Sequence, residues 1–155
     1  MNASPEWSAR TRRQEERLPM RGAACVIEPD EFARDQLASA IRAMGYTVHE
    51  TGCGKLGEFI AAQVRLNVLV LDLALPDVKG LMLLRRLRRA NPQLALVALT
   101  TDPLSAVPIT LARFAGADAV LASPPANETL CAAITEFDRH PAMYVSAMEA
   151  NAAPL

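Results

Sequence analysis

The chain has 155 residues, 51% of them hydrophobic, with a net charge of −1 at pH 7 and a pI of about 6.1. That length suits one domain with one sizeable core, and the near-neutral balance asks for neither nucleic acid nor a membrane surface as a partner. No apolar run reaches the roughly 18 residues that span a bilayer, and three scattered cysteines, Cys25, Cys53 and Cys131, show neither metal nor disulfide spacing and read as reduced cytoplasmic thiols.

Residues 1–21 mix Arg10, Arg12, Arg13 and Arg17 with Glu6, Glu15 and Glu16 and read as a polar N-terminal extension, too charged for a secretory signal. Met20 is an alternative start. A regular pattern then runs over residues 22–140, followed by a tail at 141–155. "AACVI" is a short run without polar alternation, as expected of a strand buried on both faces, with Cys25 as core filling. "EPDEFARDQLASAIRAMG" places Ala33, Leu37, Ala40, Ile41 and Met44 on one helical stripe that stops at Gly45. "YTVHE" predicts a second strand, and "KLGEFIAAQV" a helix with Leu56, Phe59, Ile60 and Val64 on one face. "NVLVLD" is a third buried strand. "GLMLLRRLRRA" is a helix with Gly80, Leu83, Leu84 and Leu87 inward, and its Arg85, Arg86, Arg88 and Arg89 are expected on a solvated outer face.

"LALVALT" predicts a fourth strand, and "VPITLARFAG" a helix with Val107, Leu111 and Phe114 on one side and Pro108 in its first turn. "ADAVLA" is a fifth strand. "NETLCAAITEFDRH" closes the pattern as a helix capped by Asn127, with Leu130, Ile134 and Phe137 inward. Five strand–helix units with continuous apolar strands imply an α/β fold: a single doubly wound parallel sheet with helices on both faces. Its site is expected beyond the carboxyl ends of the strands.

Those ends collect Glu28, Pro29 and Asp30 after strand one, Asp72 at strand three, Thr100 and Thr101 at strand four, and Ser123–Pro124 after strand five. A carboxylate at the end of a buried apolar strand is costly unless it is paired, metal-bound or solvated. Carboxylates beside a hydroxyl suit a hard cation, which takes oxygen ligands, and an aspartate nucleophile carrying a phosphoryl group. "TGCGK" from Thr51 fails as a phosphate loop, because the first glycine is missing and Leu56 stands where a hydroxyl is needed. His49 and His140 are isolated.

This constellation resembles the receiver domain of two-component response regulators over residues 23–140. The most specific stretch is "DLALPDVKG", from Asp72 to Gly80, with Leu75–Pro76 inside it. The resemblance implies the flavodoxin-like strand order 2-1-3-4-5, Asp72 as phosphoacceptor, Thr100 as switch hydroxyl and a cis bond at Ser123–Pro124. "AGADAVLASP" matches the segment leading into strand five.

The departures are equally specific. The second acidic position after strand one is Pro29, so the metal set reduces to Glu28 and Asp72, with Asp30 one place late and expected as a helix cap. The lysine that follows strand five is replaced by Ser123, and the aromatic switch in strand five by Val120. Of the two lysines, Lys55 and Lys79, only Lys79 lies in the loop after Asp72. A charge-assisted hydrogen bond contributes roughly 1.5–3 kcal/mol. Two weakened contacts to a phosphoryl group of charge near −2 imply phosphorylation slowed by roughly 100-fold or more, with Mg2+ held weakly or not at all.

The expected function is a non-enzymatic, stand-alone receiver. It takes a phosphoryl group on Asp72 from a histidine kinase or phosphotransferase and signals through a protein partner. The rival is a phosphorylation-independent pseudo-receiver, an adaptor using the face of helix four, strand five and helix five around Leu104, Val107, Arg113 and Val120. A homodimer through that face is a candidate assembly. A small nucleotide- or flavin-binding enzyme on the same sheet is disfavoured, since "EPDEF" offers no glycine-rich cradle after strand one.

Overall fold

Three apolar runs of five or six residues pair side by side at the centre of a sheet, flanked by the more polar YTVHET strand at one edge and a four-residue strand at the other. A computed structural model describes residues 20–101 and 106–139. The strands are β1 (Gly22–Ile27), β2 (Tyr46–Thr51), β3 (Val68–Asp72), β4 (Ala95–Thr100) and β5 (Ala119–Ala122), all parallel, in the order β2-β1-β3-β4-β5. The helices are α1 (Glu31–Ala43), α2 (Gly54–Gln63), α3 (Gly80–Ala90), α4 (Ala106–Ala115) and α5 (Asn127–Arg139). The strand order is the expected 2-1-3-4-5.

Period-two alternation of the strands divides the core in two. Ala24, Val26, Val68, Val70, Val97 and Leu99 face α1 and α5, where they meet Leu37, Ile41, Leu130 and Ile134. Cys25, Ile27, Leu69, Leu71, Leu96 and Ala98 face the other helices and meet Leu83, Leu84 and Leu87. Burial with no charge partner pushes the Cys25 thiol up to about 12, as suits a core filler. Tyr46 anchors α5 to the edge strand: its hydroxyl donates to Asp138 at 3.0 Å, and Arg21 meets the same carboxylate at 3.3 Å.

Two helices turn a different face inward from the one their large side chains suggest. On α2 the buried residues are Gly54, Gly57 and Ala61, while Leu56 and Phe59 stand 48% and 61% exposed. A Cβ at Gly57 would lie 2.1 Å from Ile27 Cδ1, so the helix backbone sits directly on the sheet and has no room for a leucine there. Among the described side chains of α4 the buried residues are Ala112 and Ala115, and Leu111 and Phe114 point outward, Phe114 at 89% exposure. In both cases small residues fill what Leu69, Leu71 and the α3 leucines leave over. Phe59→Ser and Phe114→Ser are therefore expected to change stability by no more than about 0.5 kcal/mol, the range of ordinary surface sites. Urea unfolding of each variant measures this, and a loss of several kcal/mol would place those rings in the core.

Two further expectations are corrected. Arg88 is not on the solvated face of α3. It is 9% exposed, and its guanidinium meets Asp118 at 2.6 Å and the carbonyls of Gly116, Pro92 and Leu94. Arg86 does lie outside, in a two-point pair with Glu58. The cap position of α5 falls on Ala126, whose carbonyl accepts from Leu130 N–H at 3.0 Å, so Asn127 is the first residue of the helix rather than its cap. Leu104, His140, residues 1–19 and the tail lie outside the described residues, as does the side chain of Val107. Among the described residues no helix is long and apolar enough to cross a membrane.

Candidate functional site

Asp72 is the last residue of β3, and its carboxylate is 5% exposed. The strand ends there because the chain must turn: Asp72 Oδ1 accepts the N–H of Ala74 at 2.7 Å, closing a tight bend two residues on. The loop then returns so closely on itself that a Cβ at Gly80 would lie 2.4 Å from the carbonyl oxygen of Leu73, which is why glycine opens α3.

Glu28 follows β1, the neighbouring strand, and is 4% exposed. Its Oε1 accepts the N–H of Asp30 at 2.9 Å, while Oε2 is buried and meets no hydrogen-bond donor. Burial pushes the Glu28 carboxyl up to about 7, partly offset by the Asp30 N–H and reinforced by the adjacent Asp72. Asp30 is turned to helix capping: its Oδ1 accepts Ala33 N–H at 2.7 Å at the start of α1. Glu28 and Asp72 are thus brought together and Asp30 works on α1. Among the described residues no group of three or more His, Cys, Asp or Glu side chains forms a metal cluster. Two apposed carboxylates with one orphaned oxygen nonetheless fit a hard divalent cation that keeps most of its own water.

On the other side of β3, Thr100 ends β4 at 8% exposure, and its carbonyl accepts Ser123 N–H at 2.8 Å. Ser123 is half-buried, and the Ser123–Pro124 bond is cis, as expected. Val120 is half-buried against the α3 and α4 side of the core, while Arg113 is exposed on α4, so the two do not form one displayed patch. Pro29 is exposed and supplies only a carbonyl, which Arg34 contacts at 3.4 Å.

Two residues near the site carry roles that no local pattern announces. Arg34 reaches back from α1 to the carbonyl of Glu28 at 2.8 Å and fixes the loop after β1. Asp77, in the loop after Asp72, accepts the N–H groups of Gly54 and Lys55, both at 2.9 Å, and the Cys53 thiol at 3.1 Å. Its carboxyl is held down to about 2, chiefly by the Lys55 N–H, then by the thiol and the Gly54 N–H. It therefore caps α2 from a distance of more than twenty residues along the chain.

A five-stranded parallel sheet with a buried carboxylate pair and a hydroxyl at its carboxyl edge defines a doubly wound α/β protein with an acidic strand-end site. Residues 24–135 match the response regulator receiver domain, and the chain belongs to that family of two-component signalling domains. It is 31% identical over 119 residues to the transcriptional regulatory protein PmrA of Pectobacterium parmentieri, covering 74% of this chain and 51% of that protein. The chain spans between 10% and 51% of the length of the curated relatives it matches. A CheY-like receiver domain from Methanospirillum hungatei superimposes with a TM-score of 0.72 at 21% identity, over 79% of this chain and 96% of that one. A response regulator from Burkholderia pseudomallei, solved with a phosphorylated aspartic acid, calcium ion and citrate, gives 0.68 at 26% identity, over 86% and 76%.

Proposed function

We propose that this chain is a phosphoacceptor receiver that takes a phosphoryl group on Asp72 and passes the signal on by protein contact. The observation that carries the reading is the Glu28–Asp72 carboxylate pair at the switch point between β1 and β3, with Thr100 on the flanking strand. The phosphorylated aspartate and calcium ion recorded in the Burkholderia pseudomallei regulator support it. Donors of matching chemistry are the phosphohistidines of a kinase or phosphotransferase in the cytoplasm. An Asp72 oxygen bonds to phosphorus as the P–N bond breaks, and the imidazole nitrogen keeps the electron pair.

Glu28 and Asp72 would hold Mg2+, which supplies positive charge to the transferring group. Asp30 stays on α1, and neither Pro29 nor Ser123 adds charge, so transfer is slow. The alternative, a phosphorylation-independent adaptor, is favoured by one observation: the outward Leu111 and Phe114 beside Arg113 on α4 form an apolar face with a cation.

Incubation with phosphoramidate and Mg2+, read by intact mass, separates the two. The expected result is one phosphoryl increment on the wild type and none on Asp72→Ala. A folded wild type that gains no mass would leave the adaptor reading standing in its place.

A further inference from the structure

Lys79 occupies the cap position of α3, with extended backbone (φ −72, ψ 118) and no side-chain hydrogen bond to the helix. That position favours a short acceptor side chain, and a cation there opposes the helix dipole. Breaking a local rule without structural return is the mark of a functional position. Lys79 is exposed and makes no ion pair among the described residues, and the one carboxylate of its loop, Asp77, is committed to α2. It lines the same groove as Leu73, Ala74, Thr100 and Thr101, at the carboxyl ends of β3 and β4.

Charge decides what this cation does. A phosphoryl group on Asp72 carries nearly two negative charges. The carboxylate pair places any metal on the β1 side, which leaves the β4 side of the group without compensation from the other described residues. Ser123 is neutral. Arg34 is held by the carbonyls of Glu28 and Pro29, and Lys55 does not line the groove. We propose that Lys79 supplies the counter-charge to the phosphoryl oxygens from the loop after β3, making it a catalytic residue of the acceptor site. The inference rests on the phosphoacceptor reading above.

The experiment is phosphorylation of the full chain by phosphoramidate with Mg2+, timed by intact mass, for wild type, Lys79→Asn, Lys79→Arg and Lys55→Gln. In this reaction the Asp72 oxygen bonds to phosphorus, the P–N bond breaks, and the already protonated nitrogen leaves with the electron pair as ammonia. Loss of one charge-assisted contact is expected to slow Lys79→Asn by at least tenfold. Lys79→Arg keeps most of the rate, and Lys55→Gln keeps all of it. Asparagine is a better cap than lysine, so the melting temperature of Lys79→Asn is expected to hold or rise while its rate falls. A merely structural role would move the two together. Wild-type speed in Lys79→Asn overturns the inference alone. Absence of any increment on the wild type overturns the phosphoacceptor reading, and this inference with it.

Discussion

Arg88→Ala is expected to destabilise the fold by about 3–5 kcal/mol, the cost of removing one partner from a buried ion pair. Both side chains of the Arg88–Asp118 pair are only 10% exposed. The guanidinium also closes a ring of backbone acceptors: Nε and Nη2 donate to Gly116 O, and Nη1 to Leu94 O at 2.7 Å and Pro92 O at 3.0 Å. Truncation leaves the Asp118 carboxylate buried with the single N–H of Leu96, and strips those carbonyls of their donor. For a fold of this size the melting temperature falls by roughly 10–20 °C. The double variant Arg88→Ala/Asp118→Ala is expected to lose less than the two single losses added, because the second change removes the charge that the first one orphans. Thermal and urea unfolding of the three variants measures both statements. A single-variant loss below about 1 kcal/mol would mean that water solvates the pair, as at exposed sites.

Arg88 also shows where a linear reading stops. Gly80, Leu84 and Arg88 recur every four residues on α3 and lie on its buried face. The stripe was therefore visible, but the partners that make a buried cation tolerable sit at positions 94, 116 and 118, and only the fold assembles them. Asp72 was legible for the opposite reason. Its signal is local, one carboxylate at the end of "VLVL" and a glycine eight residues on. The central strands β1, β3 and β4 read well because both their faces are buried and their apolar runs are unbroken. The orientation of α2 and α4 was not legible from large apolar residues, because Gly57 and Ala112 carry the contact and a pattern weighted by side-chain size points to Phe59 and Phe114 instead. The capping of α2 by Asp77 is invisible at any local spacing, since donor and acceptor belong to different strand–helix units. What the chain shows plainly is the frame and the carboxylate at the end of β3. Glu28, which faces that carboxylate, lies 44 residues earlier and comes to it only through the pairing of β1 with β3.

Glu28→Gln is expected to be more stable than the wild type above neutral pH and equal to it in acid. The Glu28 carboxyl stands near 7 in the fold, against about 4.5 in the free residue, because burial disfavours its charge. Below the unfolded value the group is protonated in both states and contributes no difference. Between the two values the unfolded chain has released its proton and the fold still holds it, so the unfolded state binds fewer protons and stability falls as pH rises. The full penalty, up to about 3 kcal/mol, is reached above the folded value. A glutamine keeps an acceptor for Asp30 N–H and offers its amide to Asp72, yet carries nothing to ionise. The difference between the two urea-unfolding free energies should therefore grow from pH 5 to pH 7 and then level. Mg2+ should shrink it, since a cation held between Glu28 and Asp72 binds only the ionised pair of the wild type. Asp72→Asn should shrink it as well, by removing the neighbouring carboxylate that raises Glu28. A difference that stays flat across this range would show Glu28 solvated and fully ionised, and would take away the driving force for a cation at the site.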